Sequence, residues 1–96
     1  MSNWIDSQKG IEVKSTGYNE ARISYNGLLA HSGADQVYLH IGSGDPRNWQ
    51  HTRTEPMQRT TSGFEKTIHM DNQVNFCFKD SANNWDNNCG LNWSIR

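Results

Sequence analysis

Apolar residues recur at every second position in stretch after stretch of this chain, and glycine, asparagine, aspartate or serine closes each stretch. Val37, Leu39 and Ile41 alternate with Gln36, Tyr38 and His40, the cleanest case. Ile11 and Val13 alternate with Glu12 and Lys14, and Ala21, Ile23 and Tyr25 with Arg22 and Ser24. Phe64, Ile68 and Met70 share a parity that Lys66 weakens. Val74, Phe76 and Phe78 share another, and Leu91, Trp93 and Ile95 make a last strand. Side chains of a strand point alternately to opposite faces, so period two predicts strands with one buried face. Turn signals fall at 15–19, 26–27, 31–35, 42–48, 62–63 and 71–73, with Pro46 stopping the strand before it. No segment sustains a 3.6-residue period. Short strands broken by frequent turns predict an all-β sandwich or barrel.

The chain's 96 residues allow one domain with a core of limited size. Residues 1–96 are therefore read as one module, with residues 1–9 either a flexible tail or, through Trp4, docked on the sandwich. Mean hydropathy is low at −0.90, yet 10% aromatic residues and the alternating aliphatics predict a folded domain. Nine basic residues balance ten acidic ones without a basic run, which argues against nucleic acid as a partner. No apolar stretch is long enough to cross a membrane as a helix. No export signal precedes Trp4, so a cytoplasmic location is expected if the chain is complete, and an extracellular one if it is cut from a secreted enzyme. Cys77 and Cys89 then read as free thiols ahead of a disulfide. No cofactor is expected, and zinc-type ligand spacing is missing.

From Phe78 onward the strand gives way to a run of Asn, Asp, Ser and Gly that encloses Trp85. Such a run is turn chemistry and has no reason of its own to bury an indole. Trp85 is thus either folded back onto the core or held out as a platform, and Asp86, Asn87 and Asn88 beside it favour the platform. A flat apolar ring edged by amides suits a sugar, with its C–H face and its rim of hydroxyls. Trp49 is a second indole in a polar loop. Trp93 alternates with Leu91 and Ile95 and reads as core.

Several of these segments together resemble a known family. Ile23 to Gly42, Asn48-Trp49, Gly63-Phe64-Glu65, Phe76-Cys-Phe-Lys-Asp80 and Asn84-Trp-Asp-Asn-Asn88 are similar to carbohydrate-binding module family 25 and its close relative, family 53. The likeness runs from about Ile11 to Ile95. It implies an immunoglobulin-like β-sandwich that binds α-1,4-glucans such as starch, glycogen or maltooligosaccharides without catalysis. It assigns the aromatic pair to Trp49 and Trp85, the site histidine to His40, the amides to Asn87 and Asn88, and a further polar contact to Lys79. Asp86 completes the candidate site. The expected partner is an α-glucan, met by a monomer, with an amylase-type enzyme acting beside it. An α-glucan coils, so two indoles set at an angle would each take one ring. Hydrogen bonds to hydroxyls contribute only about 1 kcal/mol each, and the expected affinity lies between roughly micromolar and millimolar, about −8 to −4 kcal/mol.

Other readings compete. An immunoglobulin-like module could bind protein through the same loop aromatics. His40 could be an ordinary outward strand residue, and Tyr38 beside it either a flank of the site or a cover for the sheet. Asp80 and Asp86 could be imagined as a glycosidase pair, but a polar loop gives no reason for one pKa to rise. Asn84, Asp86 and Asn88 alternate like calcium ligands, yet the glycine comes one position late at Gly90 and Ile95 stands where the closing acid belongs. His31, His51 and His69 have no partner spacing.

Overall fold

The computed structural model describes residues 3–70 and 73–95. The strands are β1 (Trp4–Asp6), β2 (Ile11–Gly17), β3 (Glu20–Tyr25), β4 (Val37–Ser43), β5 (Gln50–Pro56), β6 (Gln58–Thr60), β7 (Gly63–His69), β8 (Val74–Asp80), β9 (Trp85–Asp86) and β10 (Trp93–Ile95). One short helix, α1 (Leu28–His31), follows β3. The first sheet runs β1-β2-β3-β7-β6, the second β10-β8-β4-β5 with β9 added beside β8. All pairings are antiparallel. Four strands, β2-β3-β7-β6, facing β10-β8-β4-β5 is the strand order of an immunoglobulin-like sandwich with one extra edge strand on the second sheet.

The inward parity is the one read from the sequence. Ile11, Val13, Ala21, Ile23, Val37, Leu39, Ile41, Phe76 and Phe78 are sealed between the sheets. Trp93 is buried with them, 5.5 Å from Phe78 and 6.2 Å from Phe76, and its indole N–H donates to Asp6 Oδ2 at 3.2 Å. Trp4 takes the docked alternative: its strand pairs with β2 and its ring stacks 6.4 Å from Phe76.

Several expectations need correction. Strand β5 is exposed along almost its whole length, so no alternation betrayed it. Leu28–His31 is helical rather than a lead into a turn, because Tyr25 accepts the Leu29 N–H and fixes the helix start at 3.0 Å. Leu91 does not share a strand face with Trp93; it stands 80% exposed in the turn before β10. Ser15 to Gly17 extend β2 instead of opening the turn. Of the expected 71–73 turn, Asp71 and Asn72 lie outside the described residues. Both cysteines are free thiols, Cys77 buried and Cys89 exposed.

Candidate functional site

The outward parity of the second sheet gathers a different set of residues. On β4 this face carries Tyr38, His40 and Gly42. The register sets Lys79 opposite Tyr38, Cys77 opposite His40 and Asn75 opposite Gly42. On the other flank Thr54 of β5 faces His40, and β9 places Trp85 opposite Lys79. The sequence separations between these residues are large, but the lateral distance is a few strand spacings of about 4.8 Å.

His40 is the centre of the arrangement. Its ring lies 5.8 Å from that of Trp49 at 27° and 5.4 Å from that of Trp85 at 87°. The two indole planes therefore differ by at least the 60° that separates those angles. Trp85 is 45% exposed, and Trp49 and His40 are half-buried. His40 Nδ1 meets Thr54 Oγ1 at 2.8 Å, which orients the ring and leaves Nε2 as the nitrogen that a ligand hydroxyl can meet. Burial, and then the charge of Lys79, hold the His40 pKa below the ordinary histidine value, so the imidazole is neutral at pH 7 and can serve as donor or acceptor.

Local sequence chemistry explains each indole. Trp49 stands on Gly42: a Cβ there would come within 2.8 Å of Trp49 Cβ and 3.0 Å of Cε3. Its indole N–H is spent on Pro46 O at 2.8 Å, and Asp45 Oδ1 accepts the Arg47 N–H at 2.9 Å. Trp49 thus has only its ring to offer a ligand. Asn75 fastens the start of this loop, donating to Gly44 O at 3.0 Å while its Oδ1 accepts from Ser94 and Gln73. Trp85 is set by Asp80, whose carboxylate accepts the N–H groups of Ala82 and Asn84 at 3.0 and 2.8 Å and the Asn84 side-chain amide at 2.9 Å. Those bonds, Asn84's first, hold the Asp80 carboxyl below the usual carboxylate range. Lys79 Nζ lies 5.6 Å from the ring centres of both Trp85 and Tyr38, a cation over two aromatic faces.

The structure thus brings His40, Trp85 and Lys79 together on a sheet face, with Trp49 reaching over it from the loop between β4 and β5. Asp86 is a correction. One position after Trp85 on a strand, it points inward, is 7% exposed, and accepts the Tyr25 hydroxyl at 2.6 Å. It braces β9 instead of facing a ligand, and that inward turn also breaks the alternating calcium set of Asn84, Asp86 and Asn88. Burial, and then the bond to Asp86, push the Tyr25 hydroxyl pKa well up. Burial likewise raises the Cys77 thiol to about 11, so beneath the aromatic layer it is an inert small apolar group. Asn87 and Asn88 shape the turn into β10: Asn87 Oδ1 accepts the Gly90 N–H at 3.0 Å, and Asn88 Nδ2 donates to Asn92 O at 3.2 Å. Gly42, Thr54 and Asp80 were missed as supports of the site. Gly42 was legible as the only residue of β4's outer row without a side chain; Thr54 was not, since nothing in its strand fixed a parity.

A model of starch/carbohydrate-binding modules, family 53, matches residues 21–76. That span holds His40, Gly42, Trp49 and Thr54. An alpha-amylase of Clostridium acetobutylicum is 37% identical over 80% of this chain and 10% of its own length. The chain therefore spans about a tenth of that enzyme. No solved structure matches the chain.

Proposed function

We propose a binding mode for a chain that belongs to the starch/carbohydrate-binding module family 53. Its function is non-catalytic binding of α-glucans, and the question is which surface does it. The glucan lies across the outer face of the second sheet, one sugar on Trp49 and a neighbouring one on Trp85, with His40 between them. The observation that carries this is a single imidazole in contact with two indoles whose planes differ by at least 60°. A coiled α-1,4-glucan turns its successive faces in just this manner, whereas a flat β-1,4 chain would meet one ring and miss the other.

Roles follow from what each group has left to give. The two rings exclude apolar area, about 25 cal/mol per Å². His40 Nε2, Lys79 Nζ and the Asn87 amide nitrogen contact hydroxyls and select among sugars. Asn88 holds the turn. The resemblance of the Ile23–Gly42, Asn48-Trp49 and Asn84–Asn88 segments to family 25 as well as family 53 supports His40, Trp49 and Trp85 as the contact residues. One copy of the chain supplies the whole cluster, so the module acts as a monomer. The similarity to a segment of an amylase supports work beside an amylase-type enzyme, keeping it at its polymer.

Titration with maltoheptaose, followed by indole fluorescence, tests the proposal, with cellohexaose as control. Trp4 and Trp93 pack in or against the core, so a signal reports Trp49 and Trp85. A saturable change with the α-glucan alone is expected. An unchanged spectrum alongside retention on starch would move the site elsewhere.

A further inference from the structure

Trp85 borders a second feature that the aromatic cluster does not use. Between α1 and the β8–β9 hairpin lies a groove of about 370 Å³ lined by Leu28, Leu29, Ser32, Asp80, Asn84 and Trp85. That volume falls at the lower end of the roughly 300–1,000 Å³ typical of small-molecule sites. We infer that this groove is an extension subsite, in which a glucan already held on the cluster places a further sugar beyond Trp85. The inference rests on the binding mode above and gives Leu28, Leu29, Ser32 and Asn84 a ligand contact that the mode itself does not.

Three observations carry it. The first is continuity: the same indole that stands perpendicular to His40 at 5.4 Å also forms one wall of the groove. A polymer leaving Trp85 therefore enters the groove without crossing open solvent. The second is preorganisation. The Tyr25 hydroxyl donates to Asp86 at 2.6 Å and accepts the Leu29 N–H at 3.0 Å. One buried oxygen thus ties β9 to the start of α1 and fixes the spacing of the two walls, which lowers the ordering cost of binding. Asp80's bonds to Ala82 and Asn84 fix the remaining side.

The third is chemistry. Leu28 is 61% exposed. A lone exposed leucine means nothing, but this one shares a groove with an open indole, so two apolar surfaces flank the C–H faces of a ring. Around them stand a carboxylate, an amide and a hydroxyl. Asp80 accepts three hydrogen bonds within its loop, while a carboxylate has about four lone-pair sites, so one acceptor position remains for a sugar hydroxyl. Among the described residues no cation lines the groove, which disfavours an anionic guest. A neutral polyol continuous with the cluster's ligand is the occupant that fits.

The test compares ligand lengths. Isothermal titration of the whole chain with maltotriose and with maltoheptaose would be run for wild type, Leu28→Glu and Leu28→Ser. Leu28 is exposed, so both variants should fold, which a thermal melt verifies. The expected result is a loss of about five- to tenfold in affinity for maltoheptaose with maltotriose changed less than twofold. In parallel, the Leu28 methyl resonances of wild type should shift with the heptasaccharide and not with the trisaccharide. Equal effects on both ligands, or none on either, would overturn the extension while leaving the cluster intact. Failure of wild type to bind either sugar would instead remove the cluster, and the extension with it.

Discussion

Replacing Trp85 by alanine tests the binding face most directly, and its magnitude can be worked out. A tryptophan has about 250 Å² to bury, and 45% of Trp85 remains open, which leaves about 110 Å² for a ligand. A stacked pyranose covers one ring face, roughly half of that, and hides an equal area of its own, about 110 Å² in all. At about 25 cal/mol per Å² the loss is about 2.8 kcal/mol, or about a hundredfold in Kd. A Kd between roughly micromolar and millimolar would then rise to between about 0.1 mM and about 100 mM. The stability cost should be small, since the ring sits on the outer face and the core does not depend on it. Maltoheptaose titration by calorimetry gives the binding loss, and the thermal midpoint gives the fold. A loss below about threefold at an unchanged midpoint would refute the claim that this ring is a platform.

Other outcomes follow from the supports of the site. Gly42→Ala drives a methyl group within 2.8 Å of Trp49 Cβ, so Trp49 must lift; maltoheptaose affinity should fall at least tenfold, about 1.4 kcal/mol, while far-ultraviolet circular dichroism stays unchanged. Tyr25→Phe deprives the Asp86 carboxylate and the Leu29 N–H of their partner; about 2 kcal/mol of stability should go, lowering Tm by about 8–16 °C for a domain this size. His40 has its pKa lowered by burial and by Lys79, so the unfolded chain takes up this proton first as pH falls. Its contribution to stability is therefore full above the ordinary histidine pKa of about 6.5 and declines below it, levelling off only once the lowered folded pKa is passed. Glucan affinity, measured by fluorescence at constant salt, should be flat above that range and fall with protonation of the ring. Asp80, whose carboxyl is depressed by its Asn84 bonds, keeps its loop ordered until pH drops through that lowered value; Asp80→Asn should weaken binding at pH 7 and remove the acid-side loss that remains in His40→Gln.

Alternation revealed the fold where one face is buried and the other wet. Val37, Leu39 and Ile41 point in, so Tyr38 and His40 had to point out, and the antiparallel partner strand had to bring Cys77 and Lys79 beside them. What alternation cannot show is a strand exposed on both faces. β5 is one, and with it went Thr54, the residue that orients His40. Nor can a polar run disclose its own fold. Trp85–Asp86 pairs with β8, and that two-residue strand turns the aspartate inward while holding the indole out. Composition alone made Trp85 and Asp86 neighbours in a loop with a shared role; the strand gives them opposite ones. Leu28 was opaque for a similar reason, because a single turn of helix has too few residues to display a period.

The division of labour between the faces also explains how an aromatic binding surface coexists with a small core. His40, Trp49 and Trp85 contribute little to the interior, which Phe76, Phe78 and Trp93 already fill. Their positions are set by groups outside the aromatic cluster: a missing side chain at Gly42, the Asp80 carboxylate in its loop, the Thr54 hydroxyl. Such supports cost little stability to change, yet each moves a ring by the ångström or so on which stacking depends. The pair Tyr25 and Asp86 is the exception. It lies in the core, ties β3 to β9 across 61 residues of sequence, and through Leu29 also sets α1. Damage there should appear as lost stability and lost glucan affinity together, whereas Gly42 or Asp80 should separate the two. A Tyr25→Phe variant that melts early but binds maltoheptaose at low temperature with undiminished affinity would show that β9 holds Trp85 without this brace.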